Sequence, residues 1–185
     1  MSPSLRAQLG GPLPVTAPLV LNPLMARMVE VAGFPAGYLG GGSTGYQKVS
    51  LEANLNLTEM CQAALDIGAV SSLPLILDGA CGYGDPMHMH RTIGMSEAAG
   101  FQAIEIEDQL VPKRAHHHAG IEHMIPAELM AAKVEAAVAA RRWRGAAPAG
   151  APWRAGARRR PPSCRAPRAA GHRPSCWPAS RWCAR

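Results

Sequence analysis

Asp78 closes the apolar run Leu75-Ile76-Leu77, and Glu107-Asp108 closes a second run that opens at Phe101. Carboxylates at the ends of neighbouring strands repel each other unless a cation lies between them. Oxygen-only donors suit a hard ion such as Mg²⁺, which keeps several of its waters. The plainer alternative is an Asp N-cap plus surface acids. Glu105 alternates with Glu107 and shares its face, so periodicity leaves open which of the two would bind. Lys113, Arg114 and the run His116-His117-His118 follow as a loop. A cationic loop beyond a carboxylate–metal site would attract an anionic substrate and could close over it. Consecutive histidines point in different directions, so at most one imidazole of the three is expected to act. His88 and His90 read as a helix start rather than a ligand pair. Upstream, Tyr38-Leu39-Gly40-Gly41-Gly42-Ser43 would let backbone N–H groups approach a carboxylate or phosphate, though the same run would serve equally as a flexible loop. No Gly-Lys-Ser/Thr follows, so it is not a Walker loop.

These residues need elements to carry them. Residues 18–22 (PLVLN), 36–42 (AGYLGGG), 73–80 (LPLILDGA) and 101–109 (FQAIEIEDQ) read as four strands. Helices are expected between and after them. One covers PLMARMVEVAG and closes at Gly33, and one opens at Thr58. A third starts at Asp85-Pro86 and closes at Gly100, and a last one opens at Pro126, with Met130, Val134 and Val138 on one face. Ala32-Gly33-Phe34 and Ala99-Gly100-Phe101 repeat the same helix-to-strand junction, with glycine taking positive φ without strain. Repeated strand–helix units with apolar strands predict an α/β fold on a parallel sheet. Four units are too few for a closed eight-stranded barrel of about 250 residues. An open doubly wound sheet is the alternative, and the pattern alone does not choose.

Composition divides the 185-residue chain in two. Residues 1–140 hold 7 Lys+Arg and all 13 Asp+Glu, whereas residues 141–185 hold 12 Arg and no acid. The overall charge of +6 therefore describes neither part. The tail uses only eight residue types and carries all four tryptophans, with Cys164, Cys176 and Cys183. Its residue types are largely those of GC-rich codons, which points to a reading frame shifted after about residue 140. A disordered basic arm for nucleic acid is the competing account. The absence of Lys, Gln, Thr and Glu weighs against it. The tail's cysteine spacings match no metal-binding C-x-x-C pattern. With no signal peptide or long apolar run, the expected compartment is the cytosol, with no membrane partner.

The residues of the first part resemble the isocitrate lyase/phosphoenolpyruvate mutase superfamily over about residues 17–142. LNPLMARMVEVAGF resembles its first strand and helix, LDGACGYGDP its D-x-D-x-G-Y-G signature, and IEDQLVPKR its E-D-(Q/K)-x-x-P-K loop entry. The resemblance implies that residues 1–142 are the N-terminal part of a (β/α)₈ TIM barrel, followed by a disordered or out-of-frame tail at 143–185. It also implies a Mg²⁺-dependent lyase that cleaves or forms a C–C bond of a small 2-hydroxy or α-oxo carboxylate through a pyruvate-type enolate. Phosphoenolpyruvate mutase or oxaloacetate decarboxylase chemistry is the alternative. By motif position Asp78 would be the principal metal ligand, with Glu107 and Glu52 supporting it through water. Tyr38 and Gly40, Gly41 and Gly42 would hold the substrate, and Lys113 with His117 would act catalytically. The second acid of the signature is Ala80 here. The K-(K/R)-C-G-H run of the isocitrate and methylisocitrate lyases is Lys113-Arg114-Ala115-His116-His117, without its cysteine acid. Family members form homo-oligomers. Nothing after residue 141 resembles their later strands, one of which supplies a substrate-binding arginine. Half a parallel barrel leaves two unpaired edges, so the chain as it stands is expected to be poorly soluble and inactive.

Overall fold

A computed structural model describes residues 5–113 and 123–144, with side chains described as far as Arg141. Among the described residues, nine elements are α-helices or strands in the order α1 (Leu5–Leu9), α2 (Pro23–Val31), β1 (Gly37–Leu39), α3 (Gly41–Gln47), α4 (Leu57–Gly68), β2 (Leu75–Asp78), α5 (Met89–Ala98), β3 (Phe101–Glu105) and α6 (Ala127–Arg144). The three strands form a parallel sheet in the order β1-β2-β3. A helix lies between each pair of strands, the arrangement that parallel pairing requires. The expected first strand is reduced to one parallel bridge, Leu19 to Tyr38. Pro18 has no N–H to give, and Asn22 leaves the strand to cap α2, accepting from the Met25 N–H at 3.0 Å.

Side-chain alternation divides the sheet into two faces. Leu39, Leu75 and Leu77 point toward the helices and are buried with Met60, Ala64 and Ile67 of α4. The register pairs Ile76 with Ala103 and Asp78 with Glu105, which places these four side chains on the opposite face with Tyr38. One face is therefore core, and the other carries the polar groups.

Local chemistry moved several expected boundaries. The α4 helix opens at Asn56, not Thr58. Asn56 accepts from the Glu59 N–H and Glu59 accepts from the Asn56 N–H, both at 3.1 Å, a reciprocal capping box. The glycine run is not a loop, because Gly40 caps the short helix α3 directly after β1. Regular pairing in β3 ends at Glu105 rather than residue 109. Beyond it the Glu107 N–H reaches the Ala80 carbonyl at 2.8 Å. Gly33 and Gly100 both have positive φ after their helices, so the repeated junction is real. Pro86 opens a 3₁₀ turn capped by Asp85, and α5 follows at Met89.

The last helix differs most from its pattern. Met130, Val134 and Val138 do share a face of α6, but Val134 is 45% and Val138 41% exposed. The buried face is Lys133, Ala137 and Ala140, packed against Met89 and Ile93 of α5. Hydrophobicity marked the wrong stripe. Small residues allow close approach to α5, and a lysine occupies the buried position beside them. Among the described residues no helix is long and apolar enough to cross a membrane. The tail and its three cysteines lie outside the described residues, whereas Cys61 and Cys81 are buried and free.

Candidate active site

The carboxyl ends of β1, β2 and β3 gather the polar groups. Tyr38 donates to Glu105 at 2.5 Å, across the full width of the sheet. Burial, the Glu105 hydrogen bond and the negative charge of Asp78 hold the Tyr38 phenol well above its usual pKa, so it stays a donor. Asp78 accepts the Gly41 N–H at 2.7 Å through one oxygen and the Ala80 N–H at 3.1 Å through the other. Gly41 is glycine for a reason of space. A Cβ there would lie 2.8 Å from Glu52 Cγ and 3.2 Å from Asp78 Oδ2. The first turn of α3, Asp78 and Glu52 are thus in direct contact.

Lys113 completes the rim. Its ammonium is bonded to Glu52 at 2.6 Å and Glu107 at 2.7 Å, and its side chain is only 6% exposed. Burial opposes the charge, but the two carboxylates outweigh it and hold the Lys113 pKa above the ordinary lysine value. A cation thus stands between Glu52 and Glu107, whereas the repulsion expected from the sequence was between Asp78 and Glu107.

The segment after Asp78 is a left-handed turn. Ala80 has φ +45° and Tyr83 φ +56°, each costing roughly 1–2 kcal/mol relative to ordinary backbone. Tertiary bonds hold the turn. The Gly79 carbonyl accepts from the Gly82 N–H at 2.7 Å, the Ala80 carbonyl from the Glu107 N–H at 2.8 Å, and the Gly82 carbonyl from Thr92 Oγ1 at 2.9 Å. The Cys81 carbonyl accepts from Lys133 Nζ. A Cβ on Gly79 would meet the Glu105 carbonyl oxygen at 2.4 Å, so no other residue fits there. Tyr83 lies mostly buried below this turn. Burial and the charges of Asp78 and Glu52 raise its phenol pKa.

The structure therefore brings together Tyr38, Gly41, Glu52, Asp78, Glu107 and Lys113 of the expected site residues. Gly40 and Gly42 flank Gly41 in the same helix start. His117, with Arg114, His116 and His118, lies outside the described residues. His88 pairs with Asp85 at 2.6 Å at the start of its turn, as a helix-start residue should. Two participants escaped the sequence reading. Glu105 was left level with Glu107, but here it bonds Tyr38 while Glu107 bonds Lys113. Lys133 went unnoticed because it sits in an alanine-rich helix. The signal available was its spacing with Ala137 and Ala140, four and seven residues on.

The donors suit a hard cation. Asp78 accepts the Gly41 and Ala80 N–H groups and interacts with the Tyr38 hydroxyl, so it lies at the centre of the polar groups as an oxygen donor. Among the described residues no three His, Cys, Asp or Glu side chains cluster tightly enough to hold an ion directly. Asp78, Glu52 and Glu107 are the carboxylates that could hold such an ion.

The sequence profile described as phosphoenolpyruvate phosphomutase matches residues 5–147. The chain belongs to this family. Its relatives are lyases and mutases. Over 140 residues it is 34% identical to a probable 2-methylisocitrate lyase of Corynebacterium glutamicum, covering 75% of this chain and 45% of the relative. It is 36% identical over 129 residues to an oxaloacetate decarboxylase of Paraburkholderia xenovorans, covering 69% of this chain and 43% of that protein. The crystal structure of a phosphonopyruvate hydrolase in complex with oxalate and Mg²⁺ superimposes with a TM-score of 0.66 at 31% identity, covering 74% of this chain and 46% of that one. The chain thus spans about half the length of the relatives it matches. Within the phosphoenolpyruvate phosphomutase family, the turn that follows Asp78 is where this chain departs from the expected signature, with Ala80 in place of the second acid.

Proposed function

We propose that this chain forms the first four strand–helix units of a (β/α)₈ enzyme that uses Mg²⁺ to make or break a C–C bond in a small α-oxo or 2-hydroxy carboxylate. The observation that carries the reading is the convergence of Asp78, Glu52, Glu107, Lys113 and Tyr38 at the carboxyl ends of parallel strands, where such folds place their chemistry. Asp78 would hold the ion, with Glu52 and Glu107 behind its waters. A bound Mg²⁺ would neutralise charge developing on the substrate's oxygens as a pyruvate-type enolate forms. The chain's own residues do the rest. Lys113, held by Glu52 and Glu107, would supply positive charge toward an anionic substrate. Tyr38, kept protonated, offers an O–H to a substrate oxygen if Glu105 yields it. The α3 start positions the Asp78 carboxylate through Gly41.

Oxaloacetate is the substrate we favour. Ala115 stands where the methylisocitrate lyases carry their cysteine acid; CO₂ leaves without a proton, and the enolate left behind takes its proton at C3 from solvent water to give pyruvate. A second reading, P–C cleavage of phosphonopyruvate, is favoured by the likeness to the hydrolase. The test is Mn²⁺ binding by the purified chain, followed by paramagnetic resonance, with pyruvate release from oxaloacetate and from phosphonopyruvate measured alongside. Asp78→Ala should abolish binding. Equal Mn²⁺ binding by the wild-type and Asp78→Ala chains would remove this reading.

A further inference from the structure

Among the described residues, Lys133 is the largest side chain buried at under 2% exposure, and it is a charged one. On the same face of α6, Ala137 and Ala140 pack with Met89 and Ile93 of α5, and the negative charge of Asp85 offsets only part of the burial. Burying an ammonium there is unfavourable, and burial lowers the Lys133 pKa below the usual lysine range. An apolar residue would pack against α5 without that cost. The compensating bond goes to the carbonyl of Cys81, in the middle of the turn that follows Asp78. Four carbonyls of that turn are held from different places: Gly79 by the turn itself, Ala80 by the chain after β3, Gly82 by Thr92 of α5, and Cys81 by α6. The left-handed Ala80 and Tyr83 flank the Cys81 anchor. A turn with two such residues relaxes unless its neighbours over-determine it. The Ala80 N–H that this turn presents is one of the two donors orienting Asp78.

We infer that Lys133 is a positioning residue, which fixes the turn at residues 79–83 from beneath and through it the direction of the Asp78 carboxylate. This claim rests on the proposed function only for its metal-binding consequence. Its backbone consequence stands by itself, and the test separates the two.

The experiment compares the wild-type chain with Lys133→Met, which keeps the length and apolar stem but has no N–H. Amide hydrogen exchange should accelerate at Gly82 and Glu107, whose N–H groups close the turn, by about tenfold or more, while α4 amides keep their wild-type rates. Mn²⁺ affinity should fall by a similar factor, with Lys133→Gln, which keeps a donor, recovering part of it. Unchanged exchange at Gly82 and Glu107 overturns the inference, and so does a uniform acceleration across the sheet, the mark of a merely structural residue. If wild type binds no Mn²⁺, the proposed function fails and the exchange pattern alone decides this point. Should Lys133→Met not fold, Lys133→Ala with and without added ethylammonium gives the same comparison. Protection of the turn restored by the amine supports the inference, and protection not restored overturns it.

Discussion

The rim of the sheet and the α5/α6 flank each bury a lysine, and they do so by opposite means. At the rim Lys113 meets two carboxylates, and its charge is matched at contact distance. On the flank Lys133 meets a backbone carbonyl beside an apolar cluster. The first arrangement favours the charged form and the second disfavours it. Ion pairs at a rim can exchange partners, because water and substrate oxygens are adequate substitutes. A buried ammonium on a single carbonyl has nowhere else to go. The contrast teaches that a reacting surface and the support beneath it need different electrostatics.

The most severe challenge to this contrast is Gly79→Ala. A methyl group there collides with the Glu105 carbonyl and the Ile104 side chain, so the turn must leave both rim and flank. A loss of about 3 kcal/mol or more in urea denaturation is expected. A loss below about 1 kcal/mol would show the turn to be compliant. Next is Lys113→Met, which leaves Glu52 and Glu107 facing each other. At pH 8 it should cost about 2 kcal/mol, with Lys113→Arg, which keeps the charge, costing less. Equal losses in the two variants would argue against the ion pairs.

The alkaline limb of stability distinguishes the two lysines directly. The folded pKa of Lys113 is raised, so its contribution is complete below the unfolded value of about 10.4 and is lost as pH climbs through the folded value. The folded pKa of Lys133 is lowered. Between that value and about 10.4 the unfolded chain binds more protons, so stability rises with pH across that window. Urea midpoints followed from pH 8 to 12 should therefore lose their rise in Lys133→Met and their final fall in Lys113→Met. Identical profiles in both variants would erase the distinction. The smallest effect concerns the α6 faces. Val134→Lys should change stability by no more than about 0.5 kcal/mol, whereas Ala137→Lys, on the buried face, should be far more damaging. Equal costs would mean that the valine face is covered.

Much of the fold was legible because its signals are local. The runs at 75–78 and 101–105 are apolar and short, and Gly33 and Gly100 each mark a helix end by the φ that glycine alone takes freely. Asp78 and Glu107 were legible because each follows an apolar run and must emerge near a strand end, whereas Glu52 was implied only by the family resemblance. Which partner each carboxylate takes was not legible. Glu105 and Glu107 are equivalent by period, and only the placement of Tyr38 across the sheet and of Lys113 after the turn assigns them. The α3 helix was hidden because three glycines carry no helical preference. It is held by tertiary contact, with Gly41 pressed against Glu52 and Asp78.

The amino-acid sequence by itself determined the alternation of strands and helices, the family, and the rim on which Asp78, Glu52, Glu107 and Lys113 lie, since periodicity, end signals and motif spacing are properties of the chain alone. Only the tertiary structure decided which face of α6 is buried and what its lysine holds. A side chain's partner depends on what the fold brings to it. For Lys133 that partner is a carbonyl 52 residues away in the chain.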